Sequence, residues 1–487
     1  MKKQLLAFVF CTISTFIYSQ ELTSSFPIEL KNNRDVFQIV NDSLKQTSFF
    51  ISDKETVRFY LLDEKLIYKD TISSPRPEKK FKDILGYSGN KINPTIYWAT
   101  TNKDKICAQT FDLQNSKVSI KEFELKLSKN DEKYLQIFSE NNKFYILTIK
   151  LNSDALTLYV FENNEFKEKE INLNTFKLYK NNHEYSNIYK IFSIGVYEEP
   201  IQNSFEIAKI SPESVTSLSE SAKKRKCYSN KNQIIISLDY HNVMTQLITI
   251  DLKSFKASLK NISKPIFDNL PIEEVKSNSF LIDNKLLLLT LHEKELNLSI
   301  KDLENNLIKE YKIHDYDDFK IKNSTFSRKK YSGTERELAT TEQFLRKIVR
   351  SNIGISAYNL NGNYLLTLGC VSPEARGGGV GGMGMGGMAF AGGFAAMNFM
   401  QPINFIGYNF YSYGNRRTIT TDCLFNSDFI HLESKLEPLA LAFDKIQDYK
   451  DANTQNEAET IFKINNIYYL GFYNSSSSEY NFLKFTE

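Results

Sequence analysis

Apolar and polar residues alternate along most of the chain in short runs broken by turn-forming residues, a pattern that predicts strands rather than helices. Three stretches show it best. Residues 144–173 read FYILTIKLNSDALTLYVFENNEFKEKEINL, residues 233–262 read QIIISLDYHNVMTQLITIDLKSFKASLKNI, and residues 285–314 read KLLLLTLHEKELNLSIKDLENNLIKEYKIH. Each holds an apolar strand, a polar turn, a second strand ending in an acid, another turn and a charged third strand. The first two align without a gap, with Phe161-Glu162 on Ile250-Asp251 and Phe166-Lys167 on Phe255-Lys256. The repeating unit is a β-meander.

The acid that closes the second strand recurs as Asp63, Asp112, Glu162, Glu206, Asp251, Asp302 and, after a gap, Asp444. Successive separations up to Asp302 are 49, 50, 44, 45 and 51 residues, and 142 residues then separate Asp302 from Asp444. A period of this length with three or four strands per unit predicts an all-β fold, a β-propeller of about seven blades. Eight blades, or two β-sandwich domains, are the alternatives. One meander leaves two apolar faces bare; stacking units around an axis buries both, and closing the ring protects most edges. The first strand after the N-terminal segment is expected to pair with the last strands, around residues 461–470 and 479–485. The 142-residue interval is expected to hold about two further units plus insertions. One insertion, about 334–351, reads as an amphipathic helix capped by Thr334, with Leu338, Leu345, Ile348 and Val349 on one side. It is expected on the rim of the fold, with partner binding as the second reading.

Met1-Lys2-Lys3 followed by the apolar run 5–17 has the layout of a secretory signal peptide, residues 1–19. Removing it takes away Lys2 and Lys3 and leaves 59 basic against 58 acidic side chains. That balance argues against a nucleic-acid partner, which requires a concentrated basic face. The densest basic cluster, Lys223-Lys224-Arg225-Lys226, is expected on a solvated loop. Residues 20–487 are expected to form one domain with no transmembrane helix, exported to the periplasm, the cell envelope or the medium. Cys107, Cys227, Cys370 and Cys423 contain no CxxC pair. A Cys370–Cys423 disulfide and four separate buried thiols are both open readings.

Residues 377–393 hold 10 of the chain's 20 glycines, and Met383, Met385, Met388, Met397 and Met400 are five of its seven methionines. This insertion, residues 377–400, lies between two strand-like runs, 362–371 and 403–413. Glycine makes ordering it costly. Its candidate role is a contact element, with Met383, Met385, Met388, Phe390, Phe394 and Phe399 docking on an unidentified protein, a cell-envelope partner or, peripherally, a membrane surface. No histidine lies near enough to complete a metal site with the thioethers, and neither metal nor cofactor is expected.

Catalytic motifs are sparse. The five histidines, His183, His241, His292, His314 and His431, form no HExxH, and no GxSxG elbow occurs. His241 and His292 fall near the first turn of two aligned repeats. The adjacent acids Glu198-Glu199 and Glu273-Glu274 are candidates for paired-carboxylate chemistry, though sequence adjacency says nothing of their separation across a cleft. His314 to Asp318, HDYDD, is the densest group of oxygen ligands and reads as a charged connection. Tyr97-Trp98-Ala99-Thr100 resembles the YWTD motif of receptor propellers but lacks its aspartate and occurs once, and no family is assigned. These features lead to an exported, non-catalytic propeller that binds or scaffolds a partner. The alternative is a secreted hydrolase or lyase acting on polysaccharide or peptide through carboxylates near the axis.

Overall fold

The apolar runs are rich in Ile, Leu, Phe and Tyr, which suit a pleated, half-buried surface, and polar residues with left-handed backbone angles turn the chain between them. The computed structural model describes residues 20–486 apart from 33, 90–92, 126–131, 196–204, 206, 212–213, 231, 269, 330–334, 373–404, 413–416 and 434–441. The signal-peptide segment and the Gly/Met-rich insertion lie outside the described residues. What is described is nearly all β, in seven small, mainly antiparallel sheets of four or five strands, a two-stranded hairpin and five short α-helices.

In chain order, sheet I is Asp35–Asn41, Gln46–Ser52, Thr56–Leu62 and Tyr68–Pro75; sheet II is Phe81–Gly89, Pro94–Thr100, Lys105–Asp112 and Lys117–Glu124. Sheet III is Glu132–Glu140, Lys143–Lys150, Ala155–Glu162 and Glu165–Asn172. Sheet IV is Arg225–Ser229, Gln233–Leu238, Met244–Asp251 and Ala257–Ser263, with Ala208–Ile210 added in parallel beside the first. Sheet V is Lys276–Ile282, Lys285–His292, Glu295–Asp302 and Leu307–His314. Sheet VI is Asn352–Leu360, Asn363–Val371 and Thr418–Phe425, completed by the earlier strands Phe326–Lys329 and Glu335–Leu338. Sheet VII is Glu457–Ile464, Ile467–Asn474 and Glu479–Phe485, and its fourth strand is the N-terminal Gln20–Pro27. The first and last strands pair, as the sequence pattern anticipates.

Each sheet touches the next. Phe37 packs at a tilt against Tyr87, ring centres 5.8 Å apart, between sheets I and II, and the Tyr87 amide donates to Ser139 Oγ at 3.1 Å between II and III. Sheets III and IV share an apolar core that includes Leu147, Ile149, Ile234 and Ile236. The Leu281 amide donates to the Tyr228 hydroxyl between IV and V at 3.1 Å, and Tyr364 donates to Asp283 between V and VI at 2.8 Å. Lys463 donates to the Tyr358 hydroxyl between VI and VII at 2.8 Å, and Thr460 donates to Gln38 between VII and I at 2.6 Å. Sheets II and III come so close at Gly86 that a Cβ there would stand 2.0 Å from the Phe144 ring.

The recurring acid has a local cause. Asp63 accepts from the amides of Lys65 and Ile67, Asp302 from Glu304 and Asn306, Asp251 from Lys253 and Ser254, and Asp112 from Asn115. Each of these Asx-turns then passes through a left-handed residue: Leu66, Asn305, Phe255 and Ser116. The same turn occurs at Asn426, which accepts from the amides of Asp428 and Ile430 and is followed by left-handed Phe429. The repeated requirement is therefore a short side-chain acceptor, not a negative charge. Asp444 does not belong to the series, because it lies in the first turn of the helix Ala442–Ala452. Glu206 lies outside the described residues.

Three further expectations are corrected. The helix read over residues 335–350 begins as strand: Glu335–Leu338 pairs with Phe326–Lys329, and the helix is Thr341–Ile348, capped by Thr340, whose hydroxyl accepts from the Gln343 amide at 3.2 Å. The run 403–413 contains the helix Phe405–Ser412 rather than a strand, and the interval before Asp444 holds one sheet rather than two. All four described cysteines are free and buried. Cys370 faces Ile419 and Cys423 faces Leu366, so the two are four rungs apart on one ladder, about 13 Å along a strand and beyond disulfide reach.

Candidate functional site

The basic cluster Lys223-Lys224-Arg225-Lys226 is not solvated: all four residues are buried. Arg225–Ser229 opens sheet IV against sheet V, and the preceding residue Ala222 packs on Gly354 of sheet VI, so the cluster enters the interior with its backbone. Burial of charge is costly unless it is paired and hydrogen-bonded. Lys223 pairs with Glu220 at 2.7 Å, Lys224 donates to the Ser277 carbonyl at 3.0 Å, and Arg225 donates to the Ile191 carbonyl at 2.9 Å while lying over the Phe192 ring.

Lys226 belongs to a fully buried triad. Asp239, in the turn after Gln233–Leu238, takes Lys226 Nζ on Oδ2 at 2.9 Å and Lys264 Nζ on Oδ1 at 2.9 Å. It also accepts from Thr245 Oγ1 at 2.7 Å and from the Ser279 amide and hydroxyl at 3.1 and 2.8 Å. Lys264 also donates to Ser277 Oγ at 2.9 Å and to the His241 carbonyl at 3.0 Å. Burial opposes ionisation of Asp239, but the charges of Lys226 and Lys264 win and hold it well below the usual carboxylate range. Burial, only partly offset by Asp239, pulls the Lys264 ammonium down to about 8 and lowers that of Lys226.

Above this triad lies an exposed layer. The hairpin Leu178–Tyr179 and Tyr185–Ser186 is set on the His241 turn by Asn182, whose side-chain oxygen accepts from the Asn242 amide at 2.8 Å. The connection between sheets IV and V carries Glu273 and Glu274 in a 3-10 turn, Ile272–Glu274, fixed by Asn242 donating to the Ile272 carbonyl at 2.9 Å. His183 Nε2 lies 2.8 Å from Glu273 Oε1, and His292 Nε2 lies 3.9 Å from Glu274 Oε2. A hydrogen bond made by its own backbone, and then His183, lower the Glu273 pKa, so the carboxylate accepts and His183 Nε2–H donates. When His183 is neutral, this hydrogen bond leaves Nδ1 as the proton acceptor. Beside the pair, the Tyr179 and Tyr185 hydroxyls are 2.6 Å apart, their rings are 4.2 Å apart, and Tyr185 is 53% exposed. His241 packs edge-on against Tyr179 at 4.6 Å. Burial, followed by the charges of Lys264 and His183, keeps His241 below its usual pKa, and its Nδ1 accepts from the Val243 amide.

Three of the five histidines and the Glu273-Glu274 pair thus meet on one face, although His183 and Glu273 are 90 residues apart in sequence. Sequence reasoning missed Tyr179, Tyr185, Asp239 and Lys264. The available signal was an acid directly after the apolar strand Gln233–Leu238, where a turn needs none. His314 pairs with Glu295 at 3.6 Å and His431 meets Asn323 at 3.1 Å; neither joins this face. Among the described residues, no group of three or more His, Cys, Asp or Glu side chains is arranged to hold a metal. No helix among them is long and apolar enough to cross a membrane. Met383, Met385, Met388, Phe390, Phe394, Phe399, Glu198 and Glu199 lie outside the described residues.

No known protein family matches the chain, and no curated protein does. Among solved structures it is similar to AofleA from Arthrobotrys oligospora, at 8% identity over 72% of this chain and 83% of that one, with a TM-score of 0.25. It is also similar to cobalt-substituted apocarotenoid oxygenase from Synechocystis, at 9% identity over 59% of this chain and 62% of the oxygenase, with a TM-score of 0.27. An oxygenase is among these matches, and the expectation of a non-catalytic scaffold is taken no further. At such scores the matches lend no activity and no substrate to this chain.

Proposed function

We propose that the chain is an exported enzyme that performs proton-transfer chemistry on a polysaccharide at the face formed by His183, Glu273, Tyr179 and Tyr185. Residues 1–19 direct export, and residues 20–487 form a single propeller in which sheets I to VII are the seven blades. Contacts running from each sheet to the next and from the seventh back to the first support this arrangement, as does the N-terminal strand completing the last sheet.

One observation carries the catalytic reading: an exposed histidine oriented by a carboxylate through one ring nitrogen, with the other nitrogen open to accept a proton. Glu273 is the positioning residue and fixes the tautomer. Tyr185 offers an exposed ring on which a sugar face can lie, with its hydroxyl already engaged by Tyr179. Burial, and then the charge of Lys264 beneath, lowers the His241 pKa. In this reading the chemistry sits between two neighbouring blades, not at the carboxylate-lined axis expected from sequence.

The test is release of reducing ends or unsaturated products from a panel of polysaccharides by the secreted chain. His183→Ala is expected to lower kcat by about 10²–10⁴-fold, the usual contribution of general acid–base catalysis. Glu273→Gln should lower kcat less and displace one limb of the pH–rate profile. Turnover unchanged in His183→Ala, or no polysaccharide turned over, would count against the proposal.

A further inference from the structure

His314 lies off the face that holds His183, but the ladder of sheet V connects the two. At the end of that sheet beside Glu273 and Glu274, His292 stands directly opposite Glu295, and Glu295 directly opposite His314. All three share the side of the sheet that carries Ser277, the acceptor for Lys264, so the row looks toward sheet IV, where the hairpin with Tyr179 and Tyr185 is seated. Imidazoles and carboxylates alternate along it: His183 is 2.8 Å from Glu273, His292 is 3.9 Å from Glu274, and His314 is 3.6 Å from Glu295. Neighbouring strands lie about 4.8 Å apart, which separates His292 from His314 by about 10 Å.

The row ends in an aromatic platform. Tyr316 is 80% exposed, and its ring lies 5.2 Å from that of His314 at an angle of 4°. The imidazole backs one side of the ring and solvent meets the other. A tight turn holds the ring in place: the His314 amide donates to Asp317 Oδ2 at 3.3 Å, the Asp317 amide to the His314 carbonyl at 3.1 Å, and the Asp315 amide to the Lys294 carbonyl at 2.9 Å. A fixed, exposed phenol ring suits a partner that is apolar on one face and hydroxylated at its edge. Tyr185 offers the same at the opposite end of the row. Charge narrows the partner further. Residues 272–275, 292–295 and 314–318 contain two, two and three acids and one lysine, Lys294. A polyanion laid along them would meet like charge.

We propose that Tyr316 is a second sugar platform, and that the row from Tyr185 to Tyr316 takes one polysaccharide chain, free of carboxylate and sulfate groups, across several consecutive sugars. This rests on the polysaccharide reading of the His183 face and names the class of chain that the face accepts.

The full chain and its variants are run through native gels containing galactomannan, laminarin or glycol chitosan, with polygalacturonate as the anionic comparison. At least one of the first three is expected to retard the unaltered protein, and polygalacturonate is not. Tyr316→Ala should weaken the retardation roughly 3–10-fold in apparent affinity, the worth of one ring contact, while Tyr316→Phe should keep it, because the ring and not the hydroxyl makes the contact. So exposed a residue can be replaced without unfolding the chain, and circular dichroism checks this. His183→Ala should bind as the unaltered protein does. If His183→Ala still turns substrate over, the catalytic reading fails, yet the platform stands when Tyr316→Ala weakens binding. Equal retardation of Tyr316→Ala and the unaltered protein, no retardation by any of the first three polymers, or strongest retardation by polygalacturonate overturns the inference.

Discussion

Replacing Asp239 by asparagine changes almost no volume and removes the one carboxylate between two buried ammonium groups. In the native chain five donors converge on it, from Lys226, Lys264, Thr245 and Ser279. The asparagine amide turns an NH₂ group toward one lysine, and both cations lose their counter-charge in an interior with no solvent access. Breaking a buried pair from one side costs about 3–5 kcal/mol, a large share of the roughly 5–15 kcal/mol that holds a domain folded. The pH dependence follows from the shifts. The Asp239 contribution is complete above the ordinary carboxylate range and is lost only as pH falls through its depressed folded value. Lys264, pulled from 10.5 to about 8, is a cost below that value, relieved as pH rises toward 10.5. Without Asp239 the lysines titrate lower still, so the deficit of Asp239→Asn is expected to shrink between neutral and alkaline pH. Urea unfolding followed by the fluorescence of Trp98, the only tryptophan, and by circular dichroism measures the change. The triple variant Lys226→Met/Asp239→Leu/Lys264→Met should recover most of the loss. A loss below about 0.5 kcal/mol in Asp239→Asn, the level of ordinary surface substitutions, would refute the claim that the charges are buried together.

Gly86→Ala places a Cβ 2.0 Å from the stacked Phe144 ring and should cost about 1–3 kcal/mol by denaturant titration, since an overpacked contact between sheets relaxes only by moving the ring. Asn426→Ala should destabilise by about 1 kcal/mol through loss of its turn hydrogen bonds, while Asn426→Asp should be near neutral, because the turn requires the acceptor and not the charge. Phe26→Ala, on the N-terminal strand among Tyr60, Tyr480 and Phe482, should cost about 3–5 kcal/mol in the same assay if that strand is integral to the last sheet.

The strands were legible because their signal is local: alternation within a run and an Asx-turn at its end. The errors have a common source in pairings that sequence does not display. Asp444 fits the repeat only if a carboxylate is required, whereas the turn asks for any short acceptor, which Asn426 supplies. Residues 335–338 carry the spacing of a helix face, yet Phe326–Lys329 offered them a ladder and claimed them as strand. Four consecutive cations normally signal solvent. Here the compensating groups, Asp239, Ser277 and the Ile191 carbonyl, come from a turn, a strand and a helix elsewhere in the chain. His183 and Glu273 were each visible as single residues, but only the hairpin docked on the His241 turn makes them neighbours.

Gln20 and Phe485 face each other at the same end of the final antiparallel pair. Traction on the two ends of the folded chain therefore works like a zipper slider, parting one rung at a time instead of loading all rungs together. Tethering either end alone leaves the pair at rest, whereas anchoring both to surfaces that drift apart peels the N-terminal strand at low force.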